Sequence, residues 1–194
     1  MKFFLKHINY YGVSHNNISL NVREVYALND EQIALAYKLA SENKIDELYI
    51  LSTCARTEFY SYSTSQELLF FIKKFYQSLK RECDFNFLIH KQGEACVSHL
   101  IEVSCSVTSL LVGETEITNQ IKRSYNLAKA NNSLKSILSR LIQFSLEAGK
   151  KIRNKTKLSE GSSSVSYAAV EKILEISNEL CDKQILIIGS GMTG

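Results

Sequence analysis

"ELYILSTCARTEFYSYS", residues 47–63, is the stretch on which the reading of this chain turns. Leu48 to Ser52 is a short apolar run with the composition of a strand. Thr57 to Ser63 continues as a second β-like run. Between them stand Thr53, Cys54, Ala55 and Arg56, with Glu58 two positions further on. In continuous extended backbone, residues i and i+2 share a side, which puts Cys54 and Arg56 into one pocket. A cation beside a thiol favours the thiolate, the nucleophilic form. A guanidinium can also clamp a carboxylate through two parallel hydrogen bonds, and Thr53 adds a hydroxyl. The group suits attack on an acyl carbon whose own side chain is acidic. Cys54 reads as well as a buried structural cysteine at a strand end.

Working outward, residues 2 to 11 are rich in Phe, Ile and Tyr and predict a first strand. Asn29 and Asp30 open a helix to about Glu42, with Ile33, Ala36, Tyr37 and Ala40 at helical spacing. Thr64 or Ser65 caps a second helix whose inner face carries Leu68, Leu69, Ile72, Phe75, Tyr76 and Leu79. Residues 85–90 predict another strand, and helices follow near 94–106, 114–131, 133–156 and 165–180. The expected fold is α+β: a small sheet with helices packed against it, then a linker, a helix and the first strand of a truncated Rossmann-like domain. The expected boundaries are 1–158 for the first domain, 159–182 for the linker and helix, and 183–194 for the start of a nucleotide-binding domain.

That last segment, QILIIGSGMTG, sets an apolar run before Gly189, Gly191 and Gly194 in a G-x-G-x-x-G pattern. Glycines there permit a tight turn and a close approach of backbone to a pyrophosphate. Gly189, Ser190, Gly191, Met192, Thr193 and Gly194 are therefore candidate cofactor-binding residues. The helix and ribose-reading residue that complete such a site do not follow within the 194 residues.

Composition bounds the function. A hydrophobic fraction of 45% supports a packed core, and 22% charged residues is ordinary for a globular chain. No apolar run approaches a membrane span, and the N-terminus lacks a signal-peptide cleavage pattern. Five cysteines without metal-ligand spacing fit a reducing cytoplasm and no metal site. The net charge of +3 conceals a basic block from Lys122 to Lys157 that by itself carries +9. Such a block is either a solvated helix face or a polyanion-binding surface.

Two further stretches carry candidate chemistry. His99 lies on a helix beside Cys96, Leu100 and Val103, at the edge of an apolar face, where it is either a core residue or a proton donor and acceptor. In "SLLVGETEITNQIKRSY", residues 109–125, Ser109, Glu114, Glu116 and Gln120 cluster around Gly113 at a helix start. Glu116 and Gln120 are one turn apart on one face and can line a pocket for an amino group.

Four stretches together, LSTCARTEFY, VSHLIEVSCSVTSLLVGETEITNQIK, SSSVSYAAVE and ILIIGSGMTG, resemble glutamyl-tRNA reductase in order and spacing. The resemblance implies NADPH-dependent reduction of glutamyl-tRNA(Glu) to glutamate-1-semialdehyde through a cysteine thioester, the first step of five-carbon tetrapyrrole and porphyrin biosynthesis. It makes Cys54 the nucleophile and His99 a second catalytic residue. Thr53, Ala55, Arg56, Ser109, Glu114, Thr115, Glu116 and Gln120 become substrate-binding residues, and 189–194 the start of the NADPH loop. Family chains continue into an NADPH domain and a helical dimerisation domain, so a homodimer is implied for the full-length protein. Glutamate-1-semialdehyde aminotransferase is implied as a partner. The sequence departs from the family pattern at Ala55, Thr108, Thr115, Glu116 and Asn119. A non-catalytic tRNA-binding or regulatory module of the same fold is the alternative, and the basic block favours it.

Overall fold

The computed structural model describes residues 5–43, 45–156, 158, 165–176, 184 and 186–189. Four antiparallel strands form one sheet in the order β2-β3-β1-β4. They are β1 (Ile8–Ser14), β2 (Leu48–Ser52), β3 (Arg56–Tyr62) and β4 (Ile89–Gln92). The helices are α1 (Leu20–Tyr26), α2 (Asp30–Glu42), α3 (Ser65–Ser78), α4 (Glu94–Ser104), α5 (Glu116–Ala130), α6 (Ser136–Lys155) and α7 (Val165–Ile176). The α+β expectation therefore holds for the sheet and the helices that cover it.

Side-chain alternation divides the sheet into two buried faces. On one, Phe59 packs edge-on against Phe75 and Tyr76 of α3. On the other, Tyr10, Tyr49 and Tyr60 form an aromatic row that meets His99 of α4. Covered on both sides, β3 buries even its charged residues Arg56 and Glu58. Edge strand β2 is closed rather than left open to pairing. Ile50 donates its N–H to the Tyr37 hydroxyl, and Leu48 donates to the Ser133 carbonyl and accepts from the Ser133 hydroxyl.

The caps explain most boundaries. Asn29 with Gln32, and Thr64 with Glu67, form reciprocal capping boxes at α2 and α3. After α5 the chain turns through Asn132 at φ 54°, so the Asn131–Asn132 separator acts as a left-handed stop. Helix α6 has no local side-chain cap. Buried Glu47 accepts instead from the N–H groups of Lys135, Ile137 and Leu138 at 2.8–3.0 Å.

Several expectations shift. The first strand covers residues 8–11 of the expected 2–11 and runs on to Ser14, because it follows the ladder with β3; residues 2–4 lie outside the described residues. Residues 85–87 form a 3-10 turn: Asp84 accepts from the Asn86 N–H and bends the chain before β4 begins at Ile89. Helix α1 was not anticipated; it is seven residues long and has no side-chain cap. The 159–164 linker, residues 177–183 and 190–194 lie outside the described residues. Of the expected last strand, Leu186, Ile187 and Ile188 are exposed and belong to no sheet. No helix among the described residues is long and apolar enough to cross a membrane.

Candidate functional site

Cys54 does not sit in extended backbone. Strands β2 and β3 are joined by a tight reversal at Thr53–Ala55, closed by the Thr53 N–H donating to the Arg56 carbonyl at 2.8 Å. The i, i+2 argument that placed Cys54 and Arg56 in one pocket fails here, because the ladder ends at Arg56. The thiol is exposed, whereas the arginine is only 1% exposed.

The reversal is held from three directions. The Thr53 hydroxyl accepts from the Ala55 N–H at 3.2 Å. The Ala55 carbonyl accepts from the His15 N–H at 2.9 Å. The Cys54 carbonyl accepts from Nε of Arg23, on α1, also at 2.9 Å. Backbone groups thus satisfied fix the loop and leave the Cys54 side chain facing solvent. The other described cysteines lie in surroundings that oppose a thiolate. Burial pushes the Cys96 thiol up to about 12, with the Glu58 charge adding to it, and pushes Cys83 up to about 11. Burial also raises Cys105. Cys181 lies outside the described residues.

Behind the reversal, Arg56, Glu58 and His99 form one buried cluster. Glu58 accepts from Arg56 Nη1 at 3.0 Å, from His99 Nε2 at 3.1 Å and from the Tyr60 hydroxyl at 2.7 Å. Burial alone would raise the Glu58 carboxyl. The His99 hydrogen bond, the Arg56 charge and the Tyr60 hydrogen bond outweigh it and hold the carboxyl below its ordinary value. Gly12 makes room for the cluster: a Cβ there would lie 2.6 Å from the Tyr10 hydroxyl. Arg56 Nη2 donates to the Thr108 carbonyl at 2.6 Å and to its hydroxyl at 3.2 Å. Two of the three guanidinium nitrogens are therefore already engaged. The buried Nε of Arg56 and the buried hydroxyl of Ser109, next to Thr108, have no hydrogen-bond partner.

A cavity of about 430 Å³ opens between α2, the end of β2 and α5. Thr53, Glu116 and Gln120 line it together with Asn119. Arg123 and Asp30, paired at 2.5 Å, stand at the same cavity. The sequence-derived residues thus divide. Thr53, Glu116 and Gln120 share this cavity, Arg56 and His99 meet through Glu58, and Ser109 lies beside the arginine's Thr108 contact. Glu114 and Thr115 precede α5 without lining the cavity, though the Glu114 carbonyl accepts from the Ser106 hydroxyl. Ala55 contributes its carbonyl to His15.

Of the cofactor-binding candidates only Gly189 is described. Its φ is 119°, and an added Cβ would meet nothing within 4 Å. Within the basic block, Arg123 pairs with Asp30, Lys135 with Asp46 and Arg140 with Glu147. Arg153 donates to the Ser104 carbonyl. Lys150, Lys151 and Lys155 stay exposed along the last turns of α6. No group of His, Cys, Asp and Glu among the described residues could hold a metal.

Glu58, Arg23 and His15 were not singled out from sequence. Glu58 had a usable signal, since alternation puts it on the same face as Arg56. Arg23 and His15 had none, because only the tertiary packing of α1 and the end of β1 brings them to the reversal.

The family described as "Glutamyl-tRNAGlu reductase, N-terminal domain" matches residues 11–156. Curated proteins named glutamyl-tRNA reductase are similar over nearly the whole chain. That of Bacillus subtilis is 34% identical over 194 residues, covering 97% of this chain and 42% of its own length. That of Pseudoalteromonas translucida is 34% identical over 186 residues, covering 94% and 44%. That of Aquifex aeolicus is 35% identical over 190 residues, covering 94% and 46%. The chain spans less than half the length of these relatives. The solved structure titled "Glutamyl-tRNA Reductase from Methanopyrus kandleri" shares the fold, with a TM-score of 0.69 at 24% identity. It is matched over 96% of this chain and 44% of its own.

Proposed function

The chain belongs to the glutamyl-tRNA reductase family, and from that membership we propose that it carries the acyl-accepting half of the reductase reaction. Cys54 Sγ attacks the ester carbonyl of glutamyl-tRNA(Glu), forming a thioester and releasing the tRNA. The observation that carries this is the contrast among the thiols: Cys54 stands exposed on a hydrogen-bonded reversal, while burial raises the other described thiols and opposes their thiolate forms. The substrate amino group fits the cavity that Glu116 and Gln120 share with Thr53. The substrate carboxylate fits the orphaned Arg56 Nε and Ser109 hydroxyl, as a pair of single hydrogen bonds rather than a two-bond clamp. Arg56 and His99 then act through Glu58 as one fixed unit that shapes the pocket.

Sulfur delocalises weakly into a carbonyl, so the thioester stays open to hydride, which NADPH would supply when bound near Gly189. In the whole protein the aldehyde would pass to an aminotransferase, and the protein would work as a homodimer in the cytoplasm. Residues 1–194 by themselves would form the thioester and lose it slowly to water as free glutamate. Lys150, Lys151 and Lys155 suit the tRNA backbone, so binding should weaken with salt.

Incubation with labelled glutamyl-tRNA, quenching in acid and treatment with mild base tests this. Base-labile label should appear on the native chain and be absent from Cys54→Ser. Label that persists on Cys54→Ser would refute the nucleophile. Binding of tRNA without any thiol-dependent deacylation would favour the non-catalytic module.

A further inference from the structure

The substrate amino group accounts for only one corner of the cavity between α2, the end of β2 and α5. Its volume of about 430 Å³ falls in the range of sites that hold whole small molecules, about 300–1,000 Å³. Beyond Glu116 and Gln120, the lining includes Asp30, Ile33, Asn119, Arg123, Ser124 and Leu127. The position of the cavity limits what can fill it. Thr53 lines it and is joined by one peptide bond to Cys54, so their Cα atoms stand about 3.8 Å apart. An aminoacyl ester is carried on the ribose of the terminal adenosine of its tRNA. That nucleoside is one bond from the carbonyl that Cys54 attacks, so it must lie beside the reversal.

The lining has the chemistry of a nucleoside site. Glu116, Gln120, Arg123 and Leu127 follow at steps of four, three and four residues, so they share one face of α5. Ile33 of α2 and Leu127 of α5 supply apolar surface from the two helices, as planar bases require when they leave a stack. A side-chain amide such as that of Asn119 matches the edge of adenine, donating to N7 and accepting from the N6 amino group. The Arg123 guanidinium carries five donors, and its bond to Asp30 uses Nη2. That pair is 75% and 57% exposed, and exposed pairs contribute little, so the guanidinium can take a phosphodiester oxygen at small cost. Lys122 and Lys129, two turns apart on the adjoining stripe of α5, are exposed and extend the positive surface away from the cavity.

We propose that this cavity takes the 3′-terminal adenosine of the tRNA, with the base between Ile33 and Leu127, its edge at Asn119 and its 5′ phosphate on Arg123. Glu116 and Gln120 then read the amino acid, and the remainder of the same lining reads the nucleoside that carries it. Asp30 suits the ribose hydroxyl that is not esterified, an O–H donor beside that phosphate. The inference rests on glutamyl-tRNA being the substrate, but it requires no chemical step at Cys54.

Equilibrium binding of uncharged tRNA(Glu) to the native chain at fixed salt, compared with the same tRNA lacking its terminal adenylate, tests it. The intact tRNA should bind about 10-fold more tightly, the scale of one packed base. Arg123→Gln and Asn119→Ala should each weaken the intact tRNA about 5-fold or more and leave the shortened one within about 2-fold, because the atoms they contact are gone from it. Both positions are exposed, so neither substitution threatens the fold. Equal affinity of the native chain for the two tRNAs would overturn the proposal. So would variants that keep the full preference for the intact end, or that weaken both tRNAs alike. A native chain that binds neither tRNA would overturn the substrate reading as well. Because the tRNA is uncharged, the nucleophile is judged separately: label on Cys54→Ser refutes it and leaves the binding preference standing, whereas loss of the preference leaves the nucleophile standing.

Discussion

Cys54 and Arg56 stand two residues apart in sequence, yet they occupy opposite physical regimes. The cysteine lies on a solvent-facing reversal whose backbone is satisfied by Thr53, His15 and Arg23. The arginine lies on a strand covered on both faces, its charge answered by Glu58 and its Nη2 by the Thr108 carbonyl and hydroxyl. In the first region the side chain contributes almost nothing to the fold and is free for chemistry. In the second, each polar group is an element of the core, and removing one strands another. A site built this way separates the group that reacts from the groups that shape its surroundings.

The largest expected effect tests the buried half. Glu58→Ala leaves the Arg56 guanidinium buried without its counter-charge, which should cost about 3–5 kcal/mol in chemical denaturation. A loss below about 1 kcal/mol would mean that water reaches the cluster and that the contrast with Cys54 is false.

The same carboxylate should show itself in the pH dependence of stability. Its folded value is lowered relative to the unfolded reference of 4.5, so it contributes stability above that pH. That contribution is lost as pH falls below 4.5 and through the folded value. Glu58→Gln should flatten this acid decline relative to the native chain. An unchanged acid slope would place the dominant carboxylate elsewhere, with Glu67, whose carboxyl is lowered by its hydrogen bonds from Thr64, the first alternative.

Next in size is Gly149→Ala, on α6 where it crosses α4. An added Cβ would lie 2.7 Å from the Ser104 carbonyl oxygen, the atom that also accepts from Arg153. The helices must separate, at a cost of about 1–3 kcal/mol in thermal or chemical unfolding. Because α4 carries His99, a shift in that helix should also loosen the Glu58 cluster. Native stability in this variant would show that the α4–α6 contact does not constrain the site.

The smallest effect on folding belongs to the reacting residue. Cys54→Ala should change stability by no more than about 0.5 kcal/mol, as for other exposed positions. It should nevertheless remove the fastest phase of alkylation by iodoacetamide, because Cys96 and Cys83, at about 12 and about 11, hold little thiolate at neutral pH. Equal rates at all the thiols in the native chain would erase the distinction between the two regions.

Local chemistry alone determined a good deal of this protein. Helical spacing and short-range caps located α2 and α3, because Asn29 with Gln32, and Thr64 with Glu67, close their bonds within one turn. The apolar and alternating runs on either side of Thr53–Ala55 located β2 and β3, and the motifs around Cys54 and Glu116 identified the family. What depended on distant partners could be decided only by the tertiary structure. The cap of α6 is Glu47, nearly ninety residues upstream, so no pattern near Ser136 announces it. The first part of the strand expected at 85–90 gave way to a 3-10 turn, where Asp84 accepts from Asn86, while Ile89 and His90 stand in β4. Arg56 changed from an open clamp to a buried, half-committed donor because β3 is covered on both faces, which alternation along a single strand does not reveal. His15 reached the Ala55 carbonyl through the ladder register, and Arg23 the Cys54 carbonyl from a short uncapped helix. Periodicity reports how one segment partitions between water and core, whereas a site depends on which segments meet.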